Sequence, residues 1–223
     1  MKQVTLGFVP TRRNIFSAPA AVEYADLTRK RLEQLGVRFV DVTGINPEGL
    51  FYDEADRAAV SRLFREAHVD GLLIAHCNFG TEYVCARLAR ELNVPVLLWG
   101  PRDECPDENG IRLRDSQCGL FATGKVLRRF GVPFSYLSNC RLEDPAFEQG
   151  LMAFLAVCNV VRTFRNIRIL QIGPRPFDFW STMCNEGELL ERFHIQLAPI
   201  PLPELKQEAV SYTHLTLPTS DLV

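Results

Sequence analysis

The sequence predicts an α/β chain built on a doubly wound parallel sheet. Three observations carry that reading. Continuous apolar runs such as residues 69–75 (VDGLLIA) mark strands buried on both faces. Single amphipathic stretches lie between the runs, each long enough for one helix. Strands that alternate with single helices pair in parallel, through right-handed crossovers.

The elements follow in order. Residues 4–9 form the first strand. Ser17 caps a helix reaching Gly36, with Val22, Ala25, Leu32 and Leu35 turned inward. Residues 37–42 are the second strand. Asp53 caps a second helix whose apolar face is Val60, Leu63, Phe64 and Ala67. Residues 69–75 form the third strand, and residues 81–92 a helix with Val84, Leu88 and Leu92 on one side. Residues 95–99 are the fourth strand, 116–130 a helix, and 134–137 a short fifth strand. Asp144-Pro145 starts a last helix, a cap followed by proline at the first position. Its Phe147, Leu151, Phe154, Leu155, Cys158 and Val161 recur at three- and four-residue steps and close a first domain over residues 1–164. The expected strand order is the flavodoxin-like 2-1-3-4-5.

The pattern then restarts. Residues 167–172 read as a strand, 186–193 as a helix and 195–200 as a strand. This is the first βαβ unit of a second, truncated α/β domain over 165–209. One such unit cannot cover both faces of its sheet, so an exposed apolar edge is expected.

Residues 210–223 (VSYTHLTLPTSDLV) read differently. Their back-translation resembles the end of a transposon-based sequencing adapter, and Ala209 and the terminal valine fit the same frame. The segment is set aside as a non-native tail. The expectation is that the organism's own DNA diverges from codon 209 or 210 and continues in frame, making this chain a fragment.

Composition excludes several classes. A formal charge of −2 gives no electrostatic case for nucleic acid or an anionic membrane. The opening MKQVTLGFVP is too soon broken by proline for a signal peptide, and the longest apolar stretch, near 151–161, is short of a membrane span. Seven cysteines without a C-x-x-C pair argue against zinc or a disulfide framework and for a reducing cytoplasm. Cys77 and Cys118 lie near candidate loops, and inert packing is the simpler role for both. No G-x-G-x-x-G, Walker or G-x-S-x-G motif occurs, and the turn 173–176 (GPRP) is too proline-rich to cradle a pyrophosphate.

Open parallel sheets bind ligands beyond the carboxyl ends of their strands, at the switch in strand order. The loops after the first and third strands, residues 10–14 (PTRRN) and 76–80 (HCNFG), meet there, and the loop after the fourth, residues 99–104 (WGPRDE), lies alongside. Their arginines, amides and indole suit a polyol, with donors for adjacent hydroxyls and an aromatic face for the C–H side. Each residue also has a plainer role: solvated arginines, a capping His76, turn-forming Asn78 and Gly80, a core Trp99, a surface ion network at Arg102, Asp103 and Glu104.

Three segments carry a family resemblance: residues 71–104 (GLLIAHCNFGTEYVCARLARELNVPVLLWGPRDE), 112–139 (RLRDSQCGLFATGKVLRRFGVPFSYLSN) and 171–205 (QIGPRPFDFWSTMCNEGELLERFHIQLAPIPLPEL). Together they resemble the N-terminal half of the L-fucose/L-arabinose isomerase family. The resemblance implies two flavodoxin-like domains followed by a third holding most of the active site. It implies aldose–ketose isomerisation through an enediol, assisted by a divalent metal, usually manganese, in a cytoplasmic homo-oligomer. The metal ligands belong to the later part of such a chain, so neither catalytic nor metal-binding residues are assigned here and no metal is expected on the fragment. The first domain covers a neighbouring subunit's site, which makes Arg12, Arg13, His76, Asn78, Trp99 and Gln117 rim candidates. In the fucose enzyme an aromatic residue stands near the place of His76. Glu186 and Glu188 open a helix, where its dipole accounts for them. Periplasmic sugar-binding proteins also pair two such domains, and a regulatory module retaining the isomerase front end is the other alternative. The absent leader and unpaired cysteines argue against export.

Overall fold

The computed structural model describes residues 3–165 and 167–216, with backbone alone for 211–216. Contacts divide the chain into two compact units, Met1–Val161 and Arg162–Val223.

The first unit is a five-stranded parallel sheet of order β2-β1-β3-β4-β5. The strands are β1 (Thr5–Thr11), β2 (Arg38–Val40), β3 (Gly71–His76), β4 (Val96–Trp99) and β5 (Ser135–Tyr136). The flavodoxin-like, doubly wound fold is the one expected. In register, Thr11 of β1 stands opposite His76 of β3, and Ala75 stands opposite Trp99 of β4. The carboxyl ends of the three central strands therefore finish at one level.

The helices are α1 (Ala18–Gln34), α2 (Arg57–Glu66), α3 (Glu82–Leu92), α4 (Ser116–Arg129) and α5 (Pro145–Phe164). Ser17 caps α1 by accepting from the Ala20 amide at 3.2 Å. Asp53 caps a 3-10 turn, Glu54–Asp56, that runs into α2, so the expected second helix starts as a tighter coil. Two cores result, one per sheet face. Leu6, Phe8, Leu73, Leu97 and Trp99 meet α1 and α5, whereas Val9, Leu72, Ile74, Val96 and Leu98 meet α2, α3 and α4. Alternate strand residues feed opposite faces, which is why the strand runs are apolar throughout. On α5 the predicted Phe147, Leu151, Phe154 and Cys158 are buried.

The second unit holds a two-stranded parallel sheet of β6 (Arg168–Ile172) and β7 (Gln196–Ile200), bridged by α6 (Glu186–Phe193). Asn185 caps α6 through the Glu188 amide, and Glu188 pairs with Arg192 one turn on. Ile169, Leu170 and Ile172 remain exposed, as a lone βαβ unit requires. A further helix, α7 (Leu202–Thr216), was not expected. It runs six residues or more past the point where the adapter-like segment begins, because the stretch 204–209 (ELKQEA) favours helix and nothing up to Thr216 breaks it. Residues 217–223 of that segment lie outside the described residues. Among the described residues no helix is long and apolar enough to cross a membrane.

Candidate functional site

Two loops meet at the strand-order switch, and Asn78 joins them. Its Oδ1 accepts from the backbone N–H of Arg13 (2.8 Å), Phe79 (2.5 Å) and Gly80 (3.3 Å). Its Nδ2 donates to the carbonyls of Arg13 (3.3 Å) and Ser17 (3.2 Å). Every hydrogen-bonding capacity of this buried carboxamide is spent on backbone. Thr11 adds a further tie, its Oγ1 accepting from the Thr81 amide at 3.1 Å. Gly80 turns the chain at φ +83°, where a Cβ would lie 2.8 Å from Thr11 and 3.0 Å from His76. Gly119 of α4 lets the helix approach until a Cβ there would fall 1.8 Å from the Phe79 carbonyl oxygen.

His76 is fully buried at the end of β3. Its Nε2 lies 2.9 Å from Thr123 Oγ1 of α4, and its Nδ1 has no partner. Burial pushes its pKa from 6.5 down to about 3, so the ring is neutral near neutrality. Burial likewise pushes the Cys77 thiol up to about 12. Cys118, though exposed, is raised by a hydrogen bond to Asp115. Neither thiol is poised as a nucleophile.

The two arginines of the β1 loop part company. Arg12 is nearly buried: Nε and Nη2 donate to Glu48 at 2.5 and 3.1 Å, Nη1 to Asn14 at 2.6 Å, and the guanidinium lies 3.9 Å from the Tyr52 ring centre. Desolvation opposes its charge, and the hydrogen bond and charge of Glu48 outweigh it, raising the pKa. Arg13 is half-buried, stands over the Phe79 ring at 5.0 Å, and makes no ion pair among the described residues. Phe16 stacks on the same Phe79 at 5.5 Å. Gln117, in the first turn of α4, is exposed, and its side-chain amide is without a partner among the described residues.

Trp99 is wholly enclosed, 4.7 Å from Phe147 in the core under α1 and α5. It offers no face to a solute in this structure. Thus Arg13 and Gln117 reach the surface, whereas Arg12, His76, Asn78 and Trp99 are engaged behind it. In the β4–α4 loop the expected ion network at Asp103 and Glu104 forms around Arg114, a residue the sequence did not single out. Arg114 is completely buried, bound to Glu104 at 2.9 and 3.0 Å and to the carbonyls of Arg102 and Pro101. It also stands 3.7 Å from the Tyr24 ring, whose hydroxyl donates to Glu104 at 2.5 Å. Burial first, then the bond to Glu104, raise the Tyr24 pKa to about 12. Asp103 caps α4 from across the loop, accepting from the amides of Ser116 and Gln117. The one sequence signal was loop polarity: Glu104 and Arg114 lie ten residues apart, beyond local pairing rules.

The donor set does not suit a metal. Among the described residues no three His, Cys, Asp or Glu side chains are grouped to hold one. Among the described residues the divalent ion implied by the family resemblance therefore finds no such ligand set.

The chain is 27% identical over 143 residues to a sulfoquinovose isomerase of Clostridium sp. (strain MSTE9), covering 64% of this chain and 32% of that protein. It thus spans about a third of the length of that curated relative. Among solved structures, the glycosyltransferase SnogD from Streptomyces nogalater aligns with a TM-score of 0.29 at 11% identity, over 89% of this chain and 65% of that one, a likeness too slight to carry weight. Residues 7–165 match the N-terminal domain of fucose/sulfoquinovose isomerases, essentially the whole five-stranded unit with its switch-point loops. The chain belongs to the fucose/sulfoquinovose isomerase family.

Proposed function

We propose that this chain supplies the N-terminal part of a cytoplasmic aldose–ketose isomerase, with Arg13 and Gln117 on the rim of a sugar site. The observation that supports the reading most is the family match over residues 7–165, which contains the switch-point loops. In it, residues 1–164 are the first domain and residues 165–209 open a second. Arg13 offers guanidinium donors and Gln117 both donor and acceptor, which suits neighbouring hydroxyls of a sugar. Asn78, Arg12 and the Arg114 cluster hold those two groups in place. The catalytic divalent metal, manganese by resemblance, belongs to a later part of the enzyme and stabilises charge on the enediol when bound. The working enzyme is a homo-oligomer in which this domain faces a neighbouring subunit's site.

The test is turnover. The full-length parent, supplied with manganese, should convert at least one of L-fucose, L-arabinose and sulfoquinovose to its ketose. The present chain alone should give none, because abstraction of the C2 proton needs a placed base and a held enediolate. An inactive parent overturns the enzyme reading in favour of a binding or regulatory module. Turnover by the isolated chain overturns the placement of the catalytic groups.

A further inference from the structure

Arg102 stands outside the ion network that Asp103 and Glu104 form around Arg114. Its side chain makes no hydrogen bond or ion pair among the described residues, and the same holds for Arg141 beyond β5. The backbone sets the two side by side. Pro101 and Cys140 form a parallel bridge, and the Arg102 N–H bonds the Cys140 carbonyl at 3.1 Å. Arg102 and Arg141 are the next residue on each segment, and both line one cleft of about 290 Å³. Like charges opposite each other on paired segments are destabilising.

The carboxylates around the pair are engaged elsewhere. Glu104 is bound twice by buried Arg114 and once by the Tyr24 hydroxyl. Asp103 accepts from the Ser116 and Gln117 amides, and Asp144 from the amide of Arg141 itself at 2.8 Å. Among the acids lining the cleft only Glu143, exposed at its mouth, has no such partner among the described residues. Two positive charges and one negative are thus left unspent. The frame beneath them is tied down. Arg114 donates to the carbonyls of Arg102 (2.7 Å) and Pro101 (3.4 Å), Asn139 to that of Pro101 (3.1 Å), and Arg31 to that of Leu142 (3.2 Å). A phosphate group carries a charge of about −1.5 to −2 near neutrality and several strong acceptor oxygens, which match the fork of donors on each guanidinium. We propose that Arg102 and Arg141 form a phosphate site, taking the free ion or the phosphate group of a small ester. The cleft approaches the lower bound of about 300 Å³ for small-molecule sites, and Tyr24, Leu27 and Leu142 give it an apolar wall for the carbon part of an ester.

The probe is inorganic phosphate, titrated calorimetrically into this chain in a low-salt buffer, with phenyl phosphate as the ester. Saturable one-to-one binding with a Kd of about 1 mM or tighter is expected. Arg102→Gln and Arg141→Gln should each weaken it about tenfold or more, the loss of charge-assisted hydrogen bonds. Glu143→Gln should tighten it, since the opposing charge is gone. Arg112→Gln, which removes an exposed arginine of the same loop outside the cleft, should change nothing. All four side chains belong to exposed residues, so each variant should keep the parental unfolding midpoint. Tighter binding of phenyl phosphate identifies an ester as the ligand and equal binding the free ion, and both uphold the site. No saturable heat up to about 10 mM phosphate overturns it. So does binding that Arg112→Gln weakens as much as Arg102→Gln, which would mark general attraction to surface cations. The readout is binding to this chain, so its outcome is independent of whether the parent turns over an aldose.

Discussion

Asn78 of the β3 loop grips the backbone of Arg13 in the β1 loop from both sides, accepting from its N–H at 2.8 Å and donating to its carbonyl at 3.3 Å. The backbone of half-buried Arg13 is thereby held by a residue that is itself fully buried. The same side chain also holds Ser17, Phe79 and Gly80, so the start of α1 and the turn into α3 depend on it.

Asn78→Ala removes all five bonds and leaves buried backbone groups unpaired. The expected loss is about 2–4 kcal/mol, from a net value near 1 kcal/mol per bond and the added cost of orphaned groups. Urea unfolding measures it, and a loss under about 1 kcal/mol would show the loops to be held by other means.

His76 makes stability depend on pH. Its folded pKa of about 3 lies below the ordinary 6.5, so in acid the unfolded chain takes up a proton that the folded chain refuses. Stability is complete above 6.5 and falls as pH drops towards 3, by up to about 1.4 kcal/mol per pH unit. His76→Gln should flatten the stability profile between those limits. Identical profiles for the two proteins would show that another group titrates.

Arg114→Ala removes both guanidinium bonds to Glu104, which keeps only the Tyr24 hydroxyl, and strips the Arg102 carbonyl of its donor, while the Pro101 carbonyl keeps Ser116 and Asn139. Breaking a fully buried pair costs about 3–5 kcal/mol, and water at the half-exposed Glu104 reduces this to about 2–3 kcal/mol. Arg114→Lys should recover less than half of the loss, since an ammonium cannot bridge Glu104 while lying flat on Tyr24. Full recovery by lysine would show that charge alone matters here.

Trp99→Ala should destabilise the chain by about 3–5 kcal/mol, the range for a large aromatic removed from a core. In the full-length parent the soluble fraction of this variant should keep the parental KM. A raised KM without loss of stability would place the indole against substrate after all.

Arg13→Ala or Gln117→Ala in the parent should raise KM while leaving kcat and unfolding midpoints nearly unchanged, because contacts equal in ground and transition state act on binding. Arg12→Ala, which releases Glu48, Asn14 and Tyr52, should lower the unfolding midpoint instead. The reverse pattern would exchange the two arginines' roles.

The architecture was legible because it follows from periodicity. Runs such as 69–75 bury both faces, amphipathic stretches supply single crossovers, and the resulting order 2-1-3-4-5 is the one observed. Helix starts at Ser17 and Pro145 were equally local, the first written in its cap residue and the second in proline at the first position. The loops at the strand-order switch were also located, since strand ends and the switch in order place them.

Which side chains within those loops face outward was decided only by the tertiary structure. Arg12 and Arg13 are adjacent and chemically identical, yet one is sealed against Glu48 and Tyr52, over 30 residues away in sequence, and the other is left over Phe79. Trp99 lies on the α1/α5 face because alternate residues of β4 turn to opposite sides, and Phe147 closes over it from α5. The Tyr24–Glu104–Arg114 cluster joins three segments spread over 90 residues. Periodicity is a property of the chain and can be read along it. Burial and pairing depend on what arrives from elsewhere in the fold, and no local pattern records that.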